Sequence, residues 1–218
     1  MSVQIGSFEL GQRPLLVAEL GNNHEGDSGV ARELVNAAAD AGADAVKLQT
    51  FRVGEVVRPA DEARHRQLAR FELSADEVED LGGLARELGL LFVSTPLDFP
   101  SVLLLEPLVD AYKVASGDND FLPLLDRLAD TDRPLIVSTG LLGLDEIRAL
   151  QERIVARRAA RGADPGLAFL HAVTAYPSPP EQVQLAAIPV LASELGCPVG
   201  YSDHTLGIEA CVLAAALG

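Results

Sequence analysis

The feature of this 218-residue chain that most constrains its fold is a regular alternation of short apolar runs with segments of helical periodicity. After a short hairpin candidate (VQIGSFEL), seven apolar runs each have the length and composition of a strand, and a helical segment follows each one. The runs are PLLVAE, ADAVKLQ, LLFVST, DAYKVAS, PLIVST, GLAFLH and CPVGYSDH. Because one composition persists throughout, the alternation predicts parallel strands with right-handed crossovers in a single α/β domain.

Polar residues at the carboxyl ends of these strands distinguish between the two parallel architectures. An open sheet gathers its ligand groups at one switch point, whereas a barrel brings every strand end to one mouth. Almost every predicted strand ends in polar side chains, namely Glu19, Lys47, Gln49, Ser94, Thr95, Lys113, Ser116, Ser138, Thr139, His171, Ser202, Asp203 and His204. The pattern therefore predicts a TIM (β/α)8 barrel. About seven of its eight βα units are present, so we expect residues 1–218 to be a single barrel domain that stops before the eighth strand.

The net charge of the chain limits the classes of molecule that it is expected to bind. A formal net charge of −15 argues against nucleic acid, because phosphate binding needs a basic face. No apolar segment has the length of a membrane span or the pattern of a secretory leader, which predicts a cytoplasmic protein without a membrane partner. An anionic small molecule would have to be bound by a few local donors in a desolvated pocket.

Two lysines supply such donors. Lys47 and Lys113 are the only lysines in the chain, and both occur inside apolar runs, where a buried ammonium needs an anionic partner. Gln49 lies two residues after Lys47 and so points to the same side of a strand. With the hydroxyls of Ser116, Ser138, Thr174 and Ser202, the lysines predict a ring of donors for a phosphate or a carboxylate. A single serine at a strand end is more often a turn residue, and the repetition is what favours a site.

Carboxylates and a histidine suggest further chemistry. His204 follows the seventh strand and is a candidate ligand for a divalent metal, with Glu19, Asp203 and His24 as candidate co-ligands. Glu19, at the end of an apolar strand, and Asp118, in a predicted turn, are candidates for proton transfer. A helix-capping role for Asp118 and for His204 remains an alternative.

Two other functions are compatible with these residues. A strand-borne lysine whose pKa is lowered by the other would suit a Schiff-base aldolase or dehydratase. A catalytically silent barrel fragment could instead serve as a binding or assembly module.

The motifs taken together resemble one family. In order, VAELGNNHEGD, GADAVKLQTF, LFVSTPLDFPSV, AYKVASGDN, PLIVSTG, FLHAVTAYPSPPE and VGYSDHTLGIEACVLAAALG resemble the successive blocks of the N-acetylneuraminate (sialic acid) synthases, with the related legionaminate, pseudaminate and spore-coat polysaccharide synthases. The resemblance implies a TIM barrel that condenses phosphoenolpyruvate with an N-acylated amino sugar, such as N-acetylmannosamine. The products would be a nonulosonic acid and phosphate, with Mn²⁺ or Mg²⁺ as the cofactor.

The resemblance also implies residue roles. Substrate-binding positions of the family match Lys47, Gln49, Thr95, Lys113, Ser116, Ser138, Thr174, Tyr176 and Ser202. Of these, Tyr176 matches a residue that touches the acceptor sugar. His204 matches one of two metal-binding histidines, Glu19 a glutamate near the sugar aldehyde, and Asp118 a carboxylate proposed to assist proton transfer.

Three departures from the family pattern accompany the resemblance. The second metal histidine of the family would follow Gly218, and the C-terminal antifreeze-like domain, which completes the active site of a homodimer in the family, has no counterpart in these residues. The segment after the second strand, residues 52–67, reads as a short loop without a clear match to a sugar-contacting asparagine.

Overall fold

The computed structural model describes residues 3–218. These residues divide into two compact units, an N-terminal unit of residues 15–112 and a C-terminal unit of residues 113–218 together with the segment through Pro14. That first segment forms the predicted hairpin, in which β1 (Gln4–Ile5) pairs antiparallel with β2 (Phe8–Glu9). Within the described residues, no helix is both long and apolar enough to cross a membrane.

The N-terminal unit contains three parallel strands and the first half of a fourth. The strands are β3 (Val17–Gly21), β4 (Ala45–Thr50), β5 (Leu91–Pro96) and β6 (Ala111–Val114), and neighbours in the sequence are neighbours in the sheet. The helices are α1 (Ser28–Asp40), α2 (Val53–Val56), α3 (Glu62–Ala69), α4 (Ala75–Glu87) and α5 (Phe99–Leu105). Strand β4 is buried along most of its length, as parallel strands covered by helices are.

Side-chain caps fix where these helices begin. Asp27 accepts hydrogen bonds from the first turn of α1, and Asp98 does the same for α5. A capping box joins Ser74 and Glu77 at the start of α4. Each cap satisfies backbone N–H groups that a helix leaves without partners, and each therefore helps to end the preceding loop at a defined residue.

The reading of residues 52–67 as a loop is wrong, because α2 and most of α3 lie there. Helix α3 has no buried residue, so its sequence lacks the apolar stripe that identifies a helix from periodicity. An Asp61 cap and an ion pair between Glu62 and Arg66 accompany the helix instead. Local interactions of this kind leave little trace in a hydrophobic pattern.

The C-terminal unit continues the alternation. It holds the second half of β6 and the strands β7 (Leu135–Ser138), β8 (Leu167–Ala172) and β9 (Val199–Ser202), again in sequence order. The helices are α6 (Leu122–Ala129), α7 (Leu144–Ala160), α8 (Ala187–Leu195) and α9 (Glu209–Ala216). A 3-10 turn at Pro180–Gln182 precedes α8.

A buried arginine stabilises the loops that enter two of these strands. Arg158 of α7 is 2% exposed and donates hydrogen bonds to the carbonyls of Arg133, before β7, and Gly166, before β8. Burial lowers the pKa of this guanidinium to about 10, and it remains charged at neutral pH. The guanidinium of Arg158 thus stabilises the amino ends of β7 and β8. The candidate site residues lie toward the opposite, carboxyl ends of the strands.

Candidate functional site

The first polar pair of the N-terminal unit joins β3 to β4. Glu19 is opposite Lys47 in the strand register, and Lys47 Nζ donates to Glu19 Oε1 at 3.1 Å. The register shifts between Glu19 and Gly21, and Gly21 has a positive φ of 54°. A Cβ atom added at Gly21 would lie 3.1 Å from Glu19 Oε1, so the carboxylate lies close to this glycine. The lysine side chain is 7% exposed and the glutamate side chain 59% exposed, so a buried ammonium faces a solvated carboxylate.

A second polar contact involves Gln49, which lies two residues after Lys47 on β4. Gln49 Oε1 accepts a hydrogen bond of 2.8 Å from Asn22 Nδ2, in the loop after β3. Gln49 is opposite Thr95 in the register of β4 and β5, so the two side chains point to one face of the sheet. Thr95 is 1% exposed, and its hydroxyl has no hydrogen-bond partner among the described residues.

In the C-terminal unit, the second lysine contacts the next strand. Lys113 Nζ donates to Ser138 Oγ at 2.6 Å and to the carbonyl of Val114 at 3.0 Å. The buried Asn119 donates from Nδ2 to the carbonyls of Ser138 and Gly140, at 3.2 and 2.9 Å. Asn119 therefore fixes the backbone on both sides of Thr139, at the end of β7.

Gly140 is surrounded by hydroxyl groups. A Cβ atom added at this position would lie 2.5 Å from Thr174 Oγ1 and 2.6 Å from Ser116 Oγ. Both hydroxyls thus border a space that only glycine leaves open. We call Lys113, Ser116, Ser138 and Thr174 the hydroxyl cradle.

A histidine and a tyrosine contact each other beside the end of β9, with their rings tilted by 39°. His204 Nδ1 lies 2.7 Å from the carbonyl of Val173, and a carbonyl only accepts, so Nδ1 carries the proton. In the neutral ring, Nε2 then keeps the lone pair that a metal ligand needs. The ring of Tyr176, which is 73% exposed, lies with its centroid 4.2 Å from that of His204.

Asp203 organises the turn that carries His204. Its carboxylate accepts hydrogen bonds from the backbone and the hydroxyl of Thr205 and from Cys211 Sγ. Burial raises the pKa of Asp203, but these hydrogen bonds together outweigh burial and hold the pKa below its usual value. Asp203 therefore acts as a turn-stabilising carboxylate here.

The divalent metal stays a prediction, with His204 as its candidate ligand. No group of three or more His, Cys, Asp or Glu side chains suited to a metal ion occurs within residues 3–218. His204 has the tautomer of a ligand, so these residues fit one ligand of a divalent cation and do not make a complete site.

In both units, the predicted site residues lie within the parallel strands or in the segments that follow them. The N-terminal unit carries Glu19, Lys47, Gln49 and Thr95, and the C-terminal unit carries Lys113, Ser116, Asp118, Ser138, Thr174, Tyr176, Ser202 and His204. Ser202 is opposite Ala172 in the register of β8 and β9, and Asp118 lies in the turn that follows β6, where its N–H donates to the carbonyl of Ala115.

Three residues that contact this set were not predicted from the sequence. Asn22 and Asn119 orient it through long-range hydrogen bonds, and Gly140 leaves space for it. The STG sequence that ends with Gly140 was the only available signal, since glycine after a strand end permits close approach of other groups.

Comparison with known proteins identifies the family of the chain. The model of the NeuB family matches residues 34–218. The N,N'-diacetyllegionaminic acid synthase of Legionella pneumophila is 38% identical over 93% of this chain and 61% of its own length. Human N-acetylneuraminate-9-phosphate synthase is 32% identical over 98% of this chain and 62% of its own length. The chain thus spans about three fifths of the length of these relatives.

A solved structure extends the comparison to the fold. The N-acetylneuraminic acid (sialic acid) synthetase of Leptospira borgpetersenii, crystallised with citrate, matches all of this chain and 75% of its own length, with a TM-score of 0.90 and 31% identity. The predicted fold class is therefore confirmed: seven parallel strands alternate with helices in a barrel of the TIM type, preceded by a hairpin. By sequence and by fold, the chain belongs to the NeuB family.

Proposed function

We propose that this chain forms the barrel part of an enzyme that condenses phosphoenolpyruvate with an N-acylated amino sugar, giving a nonulosonic acid and inorganic phosphate. Relatives named as legionaminic, pseudaminic and sialic acid synthases support the general reaction. The N-acyl sugar is proposed from the resemblance of the motifs, and the donor is proposed from the chemistry of the hydroxyl cradle.

The hydroxyl cradle is the single observation that carries the proposal. Its members are one ammonium, which donates to Ser138 Oγ, and three hydroxyls, each of which is able to donate to an anion, and they lie around Gly140 and Ser138. A phosphate or a carboxylate only accepts, so a group of donors of this kind is complementary to it. The chain as a whole has a net charge of −15, whereas the hydroxyl cradle contains a lysine and no carboxylate.

Lys47 is the cation that the N-terminal unit offers to an anionic group in this proposal. Phosphoenolpyruvate carries two anionic groups, a carboxylate and a phosphate, and an ammonium compensates such a charge. Glu19 occupies Lys47 in the structure, and its solvated side chain is free to turn toward the aldehyde of the acceptor.

The remaining side chains are the groups that we propose for the acceptor sugar. The exposed ring of Tyr176 offers an apolar face and a hydroxyl to the sugar. His204 would supply one ligand of a divalent cation, which when bound polarises the aldehyde. We propose Glu19 and Asp118 as the groups that move protons to and from the aldehyde oxygen and the attacking water.

The atoms balance in two steps. The methylene carbon C3 of phosphoenolpyruvate forms a bond to the aldehyde carbon, and the aldehyde oxygen takes up a proton to become a hydroxyl. Water adds at C2, the carbon that carries the phosphate, and gives up a proton. The adduct then loses inorganic phosphate with cleavage of the C2–O bond, which leaves a 2-keto acid. The chain holds the two substrates together, which supplies much of the rate advantage.

Isotope labelling tests the reaction. The protein is mixed with N-acetylmannosamine, Mn²⁺ and phosphoenolpyruvate that carries ¹⁸O at the bridging position, and phosphate release is followed by ³¹P NMR. We expect the label in the released phosphate, because the C–O bond breaks. Absence of phosphate release with every N-acylmannosamine tested, or label retained in the keto acid, would contradict the proposal.

Borohydride trapping separates the Schiff-base alternative. Only an imine between a lysine and a carbonyl substrate is reduced to a stable adduct. We expect no added mass on Lys47 or Lys113, since both ammonium groups donate hydrogen bonds to oxygen atoms in the structure. A reduced adduct on either lysine would favour the aldolase class instead.

A further inference from the structure

Asn119 joins the turn that follows β6 to the end of β7, the next strand of the sheet. The residue is buried, with 4% of its surface exposed. Its Nδ2 carries two protons and donates to two carbonyls, that of Ser138 at 3.2 Å and that of Gly140 at 2.9 Å. Both protons of the amide are therefore used to hold backbone at the end of β7.

These two carbonyls need a donor on the side of β6. The N–H of Thr139, which lies between them in the chain, donates to the carbonyl of Leu170 on β8 at 2.9 Å. Successive residues of a strand direct their backbone groups to opposite neighbours, so the carbonyls on either side of Thr139 are directed toward β6. Because β6 ends at Val114, Asn119 supplies the N–H groups that a longer β6 would supply.

The turn that Asn119 anchors also carries Ser116 and Asp118. The N–H of Asp118 donates to the carbonyl of Ala115 at 3.0 Å, and the carbonyl of Asp118 accepts from the N–H of Phe121 at 3.1 Å. Hydrogen bonds within the turn thus tie these residues to one another. A shift of Asn119 relative to β7 would therefore change the position of Ser116 and Asp118 relative to the end of that strand.

We propose that Asn119 is a positioning residue, which sets the separation of Ser116 and Ser138 in the hydroxyl cradle and holds Asp118 beside the donor substrate. The inference rests on the proposed function and deepens it. Asn119 acts through the backbone, since both protons of its amide are bound to carbonyls. A site whose hydroxyls are already in place loses less conformational freedom when it binds an anion, and it binds that anion more tightly.

Binding of phosphoenolpyruvate, measured by titration calorimetry at pH 8, tests the inference. Asn119→Leu removes both donors at similar size and without a change of charge, and Asn119→Ala leaves room for water. The matched control is Thr131→Val. Thr131 is fully buried in the same unit, follows the far end of α6, and donates from its hydroxyl to the carbonyl of Leu128 at 2.7 Å.

We expect both Asn119 variants to bind phosphoenolpyruvate at least ~10-fold more weakly, which corresponds to one misplaced hydrogen bond to a charged group. Thr131→Val should bind it as the wild type does, although this variant also loses a buried hydrogen bond. The urea midpoint of each protein is measured with and without phosphoenolpyruvate. Its rise on addition of phosphoenolpyruvate should be smaller in the Asn119 variants than in the wild type and Thr131→Val, because a ligand stabilises a protein according to its affinity.

Turnover reports on Asp118 separately. With N-acetylmannosamine and Mn²⁺, phosphate release at saturating phosphoenolpyruvate should be ~10-fold slower in Asn119→Leu, because the turn holds Asp118 less precisely. Thr131→Val should keep the wild-type kcat. A role of Asn119 in stability alone would lower the urea midpoint and leave kcat and the affinity of the folded protein unchanged.

The outcomes separate the inference from the proposed function. If the wild-type protein does not bind phosphoenolpyruvate, the proposed function is wrong. If it binds and the folded Asn119 variants bind equally well, only the positioning role is wrong. An equal loss of affinity in Thr131→Val, or the lack of a cooperative urea transition in both Asn119 variants, would also reject the positioning role, because general stability would then explain the effect.

Discussion

The polar strand ends of the two units offer different chemistry. In the N-terminal unit, a lysine is paired with a carboxylate and an asparagine with a glutamine, so donors and acceptors alternate. In the C-terminal unit, a lysine, three hydroxyls and a glycine form a group dominated by donors. The difference teaches that one alternating βα pattern can carry paired donors and acceptors on some strands and a hydroxyl-rich group beside a lysine on others.

The largest loss of activity should come from removing Lys113, the cation of the hydroxyl cradle. We expect Lys113→Met to lower phosphate release by roughly 10³-fold, because an anion would lose a charged donor in a desolvated setting. The rate is measured at saturating acceptor. The matched control Arg66→Met removes a cation of the exposed helix α3 and should leave the rate unchanged. A comparable loss in both variants would show that net charge, and not the cradle, controls the rate.

Filling the space beside the cradle is a more selective perturbation. Gly140→Ala places a methyl group within 2.6 Å of two hydroxyl oxygens, which must move apart. We expect the KM for phosphoenolpyruvate to rise by ~10- to 100-fold, equivalent to one or two lost hydrogen bonds to a charged group. The control is Gly117→Ala, where an added methyl meets nothing within 4 Å. An unchanged KM in Gly140→Ala would exclude the cradle as the binding site of the donor.

Neutralising Glu19 separates activity from stability in the N-terminal unit. The carboxylate is 59% exposed, so its ion pair with Lys47 should contribute no more than about 1 kcal/mol to the free energy of unfolding. We therefore expect Glu19→Gln to unfold at nearly the wild-type denaturant concentration but to lose ~10²-fold in phosphate release, typical of a lost proton-transfer group. Large destabilisation with normal turnover would give Glu19 a structural role only.

The smallest effect concerns the pH dependence of stability. Burial lowers the pKa of His24 below 6.5, against a weaker opposing effect of the Glu77 charge. Below pH 6.5 the unfolded chain takes up a proton that the folded protein resists, so the free energy of unfolding falls as the pH is lowered from 6.5 through the folded pKa. His24→Gln should flatten this slope in urea titrations at pH 7 and pH 5.5, and an unchanged slope in this variant would contradict the assignment to His24.

The sequence predicted the barrel units well because their signals are local. Apolar runs, capping residues and polar strand ends can be found within a few neighbouring residues, and Lys47, Lys113 and Ser138 could be identified as strand-end groups on that basis. Helices α2 and α3 were missed because α3 buries no side chain and α2 spans only four residues.

The contacts that give the site its chemistry could not be predicted in the same way. Asn22 meets Gln49 across 27 positions, and Asn119 reaches two carbonyls beyond the next helix. Gly140 matters only because Ser116 and Thr174, from other strand ends, approach it. Such relations depend on the register of parallel strands and on loop geometry, which periodicity does not specify.

Titration calorimetry with phosphoenolpyruvate tests the central claim most directly, since it requires neither acceptor nor turnover. We expect the wild-type protein and Gly117→Ala to bind phosphoenolpyruvate with equal affinity, and Lys113→Met and Gly140→Ala to bind it at least ~10-fold more weakly. Equal affinity in all four proteins would mean that the donor does not bind at the hydroxyl cradle, and it would contradict the account.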